Sequence, residues 1–182
     1  MQGKNVLLGI TGGIAAYKAA DVASRLRKKG ASLKTIMTEN ACKLIQPKLI
    51  EAVSAGPVYT SMWDSKDNII THLDPVNSSD LILVAPATAN IIAKMTHGIC
   101  DDLLSSALCA GWDRNLFIAP AMNNNMWNNP ATQRNIQLLK DSGVKTIGPQ
   151  SGHLACGTSN IGRMTEPEEI VEELCSHMGQ GE

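Results

Sequence analysis

The chain has 182 residues, 43% of them apolar, and a formal net charge of −1. It is long enough for a domain with a real core, and too apolar for intrinsic disorder. It has neither the basic surplus nor, at 3% aromatic content, the stacking side chains of a nucleic-acid binder.

Asn5 to Ile10 reads as a buried strand. The run from Val6 to Ala16 loosely imitates a secretory leader, but Gly9, Gly12 and Gly13 interrupt it and an amphipathic segment follows. Thr11-Gly12-Gly13 predicts a tight turn, and Ile14 to Lys29 has helical periodicity closed by Gly30. The cations Arg25, Arg27, Lys28 and Lys29 complement that helix end. Ser32 to Met37 is a second strand, so the unit predicts a right-handed parallel crossover. A glycine turn entering a helix favours a phosphate. Its glycines at 9, 12 and 13 depart from the G-x-G-x-x-G spacing, and a nicotinamide dinucleotide is not specifically indicated. Glu39 stands where a ribose-binding acid could sit, but it reads better as a first-turn acid of a short helix capped by Thr38.

Pro47 to Ala55 predicts a helix, Val58 to Thr60 a short strand, and Ser61 to Thr71 a polar loop with His72 at its exit. A lone histidine is ordinarily a surface or hydrogen-bonded residue. Asp80 to Ala85 is the clearest strand, since Leu81, Ile82, Leu83 and Val84 in succession suit a parallel strand covered on both faces. Pro86-Ala87-Thr88-Ala89-Asn90 leads into a helix to about His97, closed by Gly98. Asp101 to Ala110 is a further helix, whose Asp101 and Asp102 suit cap and dipole roles better than an acid–base pair.

Asn115 to Ala119 is a strand, ended by Pro120, which removes a backbone donor. Beyond it lie Asn123, Asn124 and Asn125, flanked by Met122, Met126 and Trp127. Amides orient a polar ligand without an ion pair, and the position past a strand's carboxyl end is where open α/β sheets bind ligands. An Asn-rich turn accounts for the same residues equally well. Two strand ends sharing Ala-Pro-Ala would line one crevice. Pro130 opens a helix to about Ser142, Val144 to Ile147 is a strand, and Pro167 to His177 is a terminal helix. Gly148 to Arg163, with four glycines, His153 and Cys156, reads as a long irregular, functional segment. The fold class expected is α/β: one three-layer Rossmann-like or flavodoxin-like unit over residues 1–182, with a central parallel sheet. No apolar run approaches the roughly 20 residues of a membrane span. Five cysteines without a C-x-x-C pair suggest neither a disulfide framework nor a metal site, and a reducing cytoplasm fits best.

Taken together, Pro86 to Asn90, Pro120-Ala121-Met122-Asn123 with Met126-Trp127, and Ala155-Cys156-Gly157 leading to Gly162-Arg163-Met164 resemble the homo-oligomeric flavin-containing cysteine decarboxylases. The Gly9 to Ile14 turn and His72 also fit, and the match spans nearly the whole chain. The branch that acts on phosphopantothenoylcysteine in coenzyme A biosynthesis is the one resembled. The resemblance implies bound FMN, with Gly12, Gly13 and Thr38 at its phosphate and Thr88, Ala89 and Asn90 near its ring. It implies Asn123, Met126, Ala155 and Cys156 at the small-molecule substrate, with Asn123 orienting the carboxylate. His72 would be the base of the oxidative stage and Cys156 the acid of the final reduction. The implied reaction runs through thiol oxidation, loss of carbon dioxide and re-reduction.

Family members are built from trimers, sometimes four of them, with flavin at subunit contacts, so His72 would serve a neighbouring subunit. The chain also resembles the amino-terminal half of bifunctional proteins carrying a phosphopantothenoylcysteine synthetase. Peptidyl-cysteine decarboxylases of lantibiotic pathways lack the reducing cysteine. Flavin prenyltransferases lack the Asn and Cys motifs, and a non-catalytic flavin-binding subunit has no need of the set His72, Asn123 and Cys156.

Overall fold

The computed structural model describes residues 1–63, 72–153 and 159–179. Its centre is a six-stranded sheet, all parallel, formed by β1 (Asn5–Ile10), β2 (Ser32–Met37), β3 (Val58–Tyr59), β4 (Leu81–Ala87), β5 (Asn115–Pro120) and β6 (Lys145–Thr146) in the spatial order β3-β2-β1-β4-β5-β6. The helices are α1 (Lys18–Lys28), α2 (Glu39–Cys42), α3 (Pro47–Ser54), α4 (Asp74–Asn77), α5 (Ala89–His97), α6 (Leu103–Ala110), α7 (Asn124–Asn128), α8 (Pro130–Asp141) and α9 (Pro167–Gly179). A second sheet is the antiparallel pair β7 (Gln150–His153) and β8 (Ser159–Arg163).

The apolar runs are continuous because each central strand feeds two cores. Leu8 and Ile10 of β1, with Leu81 and Leu83 of β4, pack on α1, α3 and α9 through Val22, Leu26, Ile50, Ile170 and Leu174. Leu7, with Ile82, Val84 and Ile118, packs on α5, α6 and α8 through Ile92, Leu104, Ile136 and Leu139. Period-two alternation thus divides apolar residues between faces that are both covered. Among the described residues no helix is long and apolar enough to cross a membrane.

The order places a topological switch between β1 and β4: the chain turns outward to β2 and β3 on one side, and to β5 and β6 on the other. At such a point the loops leaving two adjacent strands diverge and open a crevice.

Several segments differ from the sequence reading. The helix entered at Ile14 begins as a 3₁₀ turn, Ile14–Tyr17, and becomes α-helical at Lys18. β4 does not stop at Ala85 but runs through Pro86 to Ala87, with its register against β5 shifting between Val84 and Ala87. Pro120 ends β5, yet pairing continues one residue further, where Ala121 N donates to Ala87 O at 3.0 Å. The segment from Gly148 to Arg163 is not irregular throughout, since it contains the β7–β8 pair. Its glycine, serine and asparagine residues give no apolar alternation, so backbone pairing is what defines it. The short helix α4 was also not anticipated. Asp102 does cap α6: its carboxylate accepts from Ser105 N at 2.7 Å and meets Lys94 Nζ at 2.7 Å. Burial pushes the Asp102 carboxyl up, but Lys94 and Ser105 outweigh it and hold the group below the usual carboxylate range.

Candidate active site

The turns after β1, β4 and β5 meet in a cleft of about 770 Å³ at the carboxyl ends of the strands. Gly12, Gly13, Thr88, Ala89, Met122 and Asn123 line it, with Gly162 and Arg163 of β8 on the far wall. That volume lies in the range of small-molecule and cofactor sites, roughly 300–1,000 Å³.

Beside the lining residues, Thr11 is buried. Its hydroxyl donates to Pro86 O at 2.7 Å and accepts from Thr88 N at 3.3 Å. One side chain thus ties the β1 turn to the β4 turn. Gly12 passes so close to the start of α2 that a Cβ there would lie 2.4 Å from Asn40 Cβ and 2.8 Å from the Asn40 carbonyl carbon. Only glycine fits, and the turn keeps its backbone bare toward the cleft.

Asn123 sits at the mouth. Its Oδ1 accepts from Met126 N at 2.8 Å, which caps α7. The oxygen serves the helix, as an Asn-rich turn requires, and among the described residues nothing takes the two amide N–H donors. Because the oxygen is committed, the donors can face only one way. The neighbouring stretch of wall is fixed by Gly162, whose φ of +135° and close approach to Met122 O admit no side chain. Met122 N donates to Gly162 O at 3.0 Å, which docks β8 on the β5–α7 turn.

Of the sequence-derived cofactor residues, Gly12, Gly13, Thr88 and Ala89 line the cleft, and so do Asn123 and Met126 of the substrate set. Thr38 and Asn90 do not line it. The Thr38 hydroxyl accepts from Ala41 N at 3.2 Å as the cap of α2, and Asn90 is exposed on α5. His72 is half-buried in the turn before α4 and is not among the described residues that line the cleft. Ala155 and Cys156 lie outside the described residues. Sequence reasoning missed Thr11, and also Lys18 and Glu166. Lys18 Nζ meets Glu166 Oε1 at 2.9 Å across the cleft wall, and Arg163 Nη1 meets the same oxygen at 3.1 Å. No local pattern joins residues so distant in the chain.

The sequence profile of the Flavoprotein family matches residues 1–179. The coenzyme A biosynthesis bifunctional protein CoaBC of Bacillus subtilis (strain 168) is 44% identical over 181 residues, which are 99% of this chain and 44% of that protein. The chain therefore spans less than half the length of that relative. The probable phosphopantothenoylcysteine decarboxylase of Streptococcus mutans serotype c is 40% identical over 173 residues, 94% of this chain and 97% of that one. Among solved structures, a PPC decarboxylase variant complexed with pantothenoylaminoethenethiol superposes with a TM-score of 0.88 at 28% identity, over 97% of this chain and 98% of that chain. The FMN binding protein AtHal3 superposes with a TM-score of 0.86 at 28% identity, over 100% of both.

Proposed function

The chain belongs to the flavoprotein family, and from that premise we propose that it is an FMN-dependent decarboxylase that converts phosphopantothenoylcysteine to phosphopantetheine in coenzyme A biosynthesis. The observation that carries this reading is the divided amide of Asn123, whose oxygen caps α7 while its donors remain for a ligand carboxylate. A cationic partner would stabilise the ground-state carboxylate, whose charge leaves with carbon dioxide. A neutral amide orients the group with less of that penalty.

The cleft fits a flavin. Gly12 and Gly13 form a side-chain-free turn suited to a phosphate, and Ala89, Ala121, Met122 and Tyr17 offer an apolar surface to a flat ring. Riboflavin phosphate, not a dinucleotide, fits glycine spacing that departs from the dinucleotide fingerprint. When bound, the flavin supplies a reversible sink for the two electrons of the substrate thiol. The chain's own residues do the rest. Asn123 holds the carboxylate, His72 takes the thiol-side proton, and Cys156 returns a proton to carbon at the end. In net terms one carbon–carbon bond breaks, carbon dioxide leaves and a proton takes its place.

His72 is not among the described residues that line its own cleft, and Ile14 and Tyr17 at the cleft edge are 69% and 65% exposed. Both features support a homo-oligomer, a trimer or a dodecamer of four trimers, with flavin at subunit contacts and His72 supplied across them. Work alongside a phosphopantothenoylcysteine synthetase agrees with the bifunctional character of the longer relative.

The test is carbon dioxide release from phosphopantothenoylcysteine by flavin-loaded protein, beside Cys156→Ser. The parent protein is expected to give phosphopantetheine, whereas Cys156→Ser releases carbon dioxide but accumulates an unsaturated thiol. No release by the parent sinks the function, and normal phosphopantetheine yield from Cys156→Ser removes that residue's role. Gly12→Ala tests the cofactor turn separately. The clash with Asn40 is expected to destabilise the fold by about 1–3 kcal/mol and to yield colourless protein, checked by urea midpoint and visible absorbance. A yellow, equally stable variant would show that the turn can move.

A further inference from the structure

The cleft has one charged corner. Among its described lining residues only Lys18, Arg163 and Glu166 carry charge. Glu166 Oε1 serves both cations, Lys18 Nζ at 2.9 Å and Arg163 Nη1 at 3.1 Å. Two cations against one carboxylate leave a net positive charge. The Lys18 side chain is only 11% exposed, so solvent screens it weakly. Arg163 Nη2 reaches Gln150 Oε1 at a long 3.3 Å, and Arg163 Nε is buried with no hydrogen-bond partner among the described residues. Because Nε packs beside Gly152 of β7, it is the terminal guanidinium nitrogens and Lys18 Nζ that offer charged donors to an oxyanion in the cleft.

We infer that Lys18 and Arg163, held together by Glu166, form the phosphate-recognising corner of the cleft, with a phosphate monoester as its ligand. The identification of that ester with the substrate's phosphate rests on the function proposed above. The physical case comes from comparing the two kinds of polar group that the cleft offers. The substrate carboxylate loses its charge during the reaction, and at the mouth it meets a neutral amide. The phosphate keeps its charge throughout. Cations can hold such a group equally in ground and transition states without raising the barrier. Lysine gives a compact point charge and arginine a planar fork, a pairing suited to a phosphate's several oxygens.

The test is calorimetric binding to flavin-loaded protein of phosphopantothenate and of pantothenate, which lack the cysteine and cannot turn over. Wild type is expected to prefer phosphopantothenate. Lys18→Met and Arg163→Gln are each expected to weaken phosphopantothenate binding about tenfold to a hundredfold and to leave pantothenate binding unchanged. Glu166→Gln is expected to tighten phosphopantothenate binding, because it removes a competing anion. A merely structural ion network would be broken by all three changes alike. A parallel titration of apoprotein compares FMN with riboflavin. If Lys18→Met weakens FMN but not riboflavin, the corner recognises phosphate and the flavin is its owner. Equal losses for phosphorylated and unphosphorylated ligands, weakening by Glu166→Gln, or no preference in wild type would each overturn the inference. Preferential phosphopantothenate binding without carbon dioxide release would sink the decarboxylase reading and leave the corner standing.

Discussion

Asn123→Asp is expected to lower carbon dioxide release by about a thousandfold while leaving the urea midpoint where it is. Aspartate caps a helix as well as asparagine does, so the carboxylate can still accept from Met126 N and α7 keeps its start. What changes is the other half of the group. Two N–H donors become an anionic oxygen facing the substrate carboxylate. At about 4 Å and an effective dielectric of about 20, that repulsion is worth roughly 4 kcal/mol. Asn123→Ala gives the contrast, since it loses both the ligand contact and the cap, and the cap alone is worth about 1 kcal/mol. The two variants should therefore separate in stability and coincide in inactivity. If Asn123→Asp kept more than a tenth of the parent rate, the amide would not be what orients the carboxylate.

Chains carrying His72→Ala and chains carrying Asn123→Asp, each inactive alone, are expected to regain activity when co-assembled. The structure leaves His72 in the turn before α4, which Lys34 and Asp74, 2.8 Å apart, tie to β2. The cleft is built from other loops. On the function proposed above, a site completed by His72 would draw it from a second copy. Random mixing at equal ratio makes half the chains intact at each position. About a quarter of the sites in an unselected mixture would thus hold both intact residues, rising to about a third in mixed trimers, so recovery to about a quarter to a third of wild-type rate follows for a closed homo-oligomer. The measurement is turnover of co-expressed, differently tagged chains purified through both tags. Mixed oligomers demonstrated by mass that stay inactive would mean that both residues act within one chain.

Much of this was legible in the sequence because local signals agreed with the fold. Leu81 to Val84 predict a doubly covered strand, and the sheet covers them on both faces. Thr38, Asp102 and Pro130 are recognisable helix starts and serve as such. The β7–β8 pair was hidden because Ser151, Gly152 and Asn160 carry no strand-forming character, and the contact of β8 with Met122 is distant in sequence. Pro86 hid the true end of β4, since proline inside a strand normally argues against pairing, and here a register shift absorbs it. At the site, the motifs at Gly12, Thr88 and Asn123 converge as their places at strand ends require. The charged corner could not be read, because Lys18 and Glu166 meet only when α1 and the segment before α9 are folded onto the same wall.

The bond from Thr11 to Pro86, with its return from Thr88, has a dynamic meaning. A single hydroxyl that both donates to one loop and accepts from the same loop acts as a rivet between two neighbouring turns. Neither turn can swing out without breaking both contacts. Local opening of the two turns is then one cooperative event with a shared free-energy cost. Amide protons in the two turns would exchange with solvent on a common schedule, so a ligand that quiets one loop quiets the other.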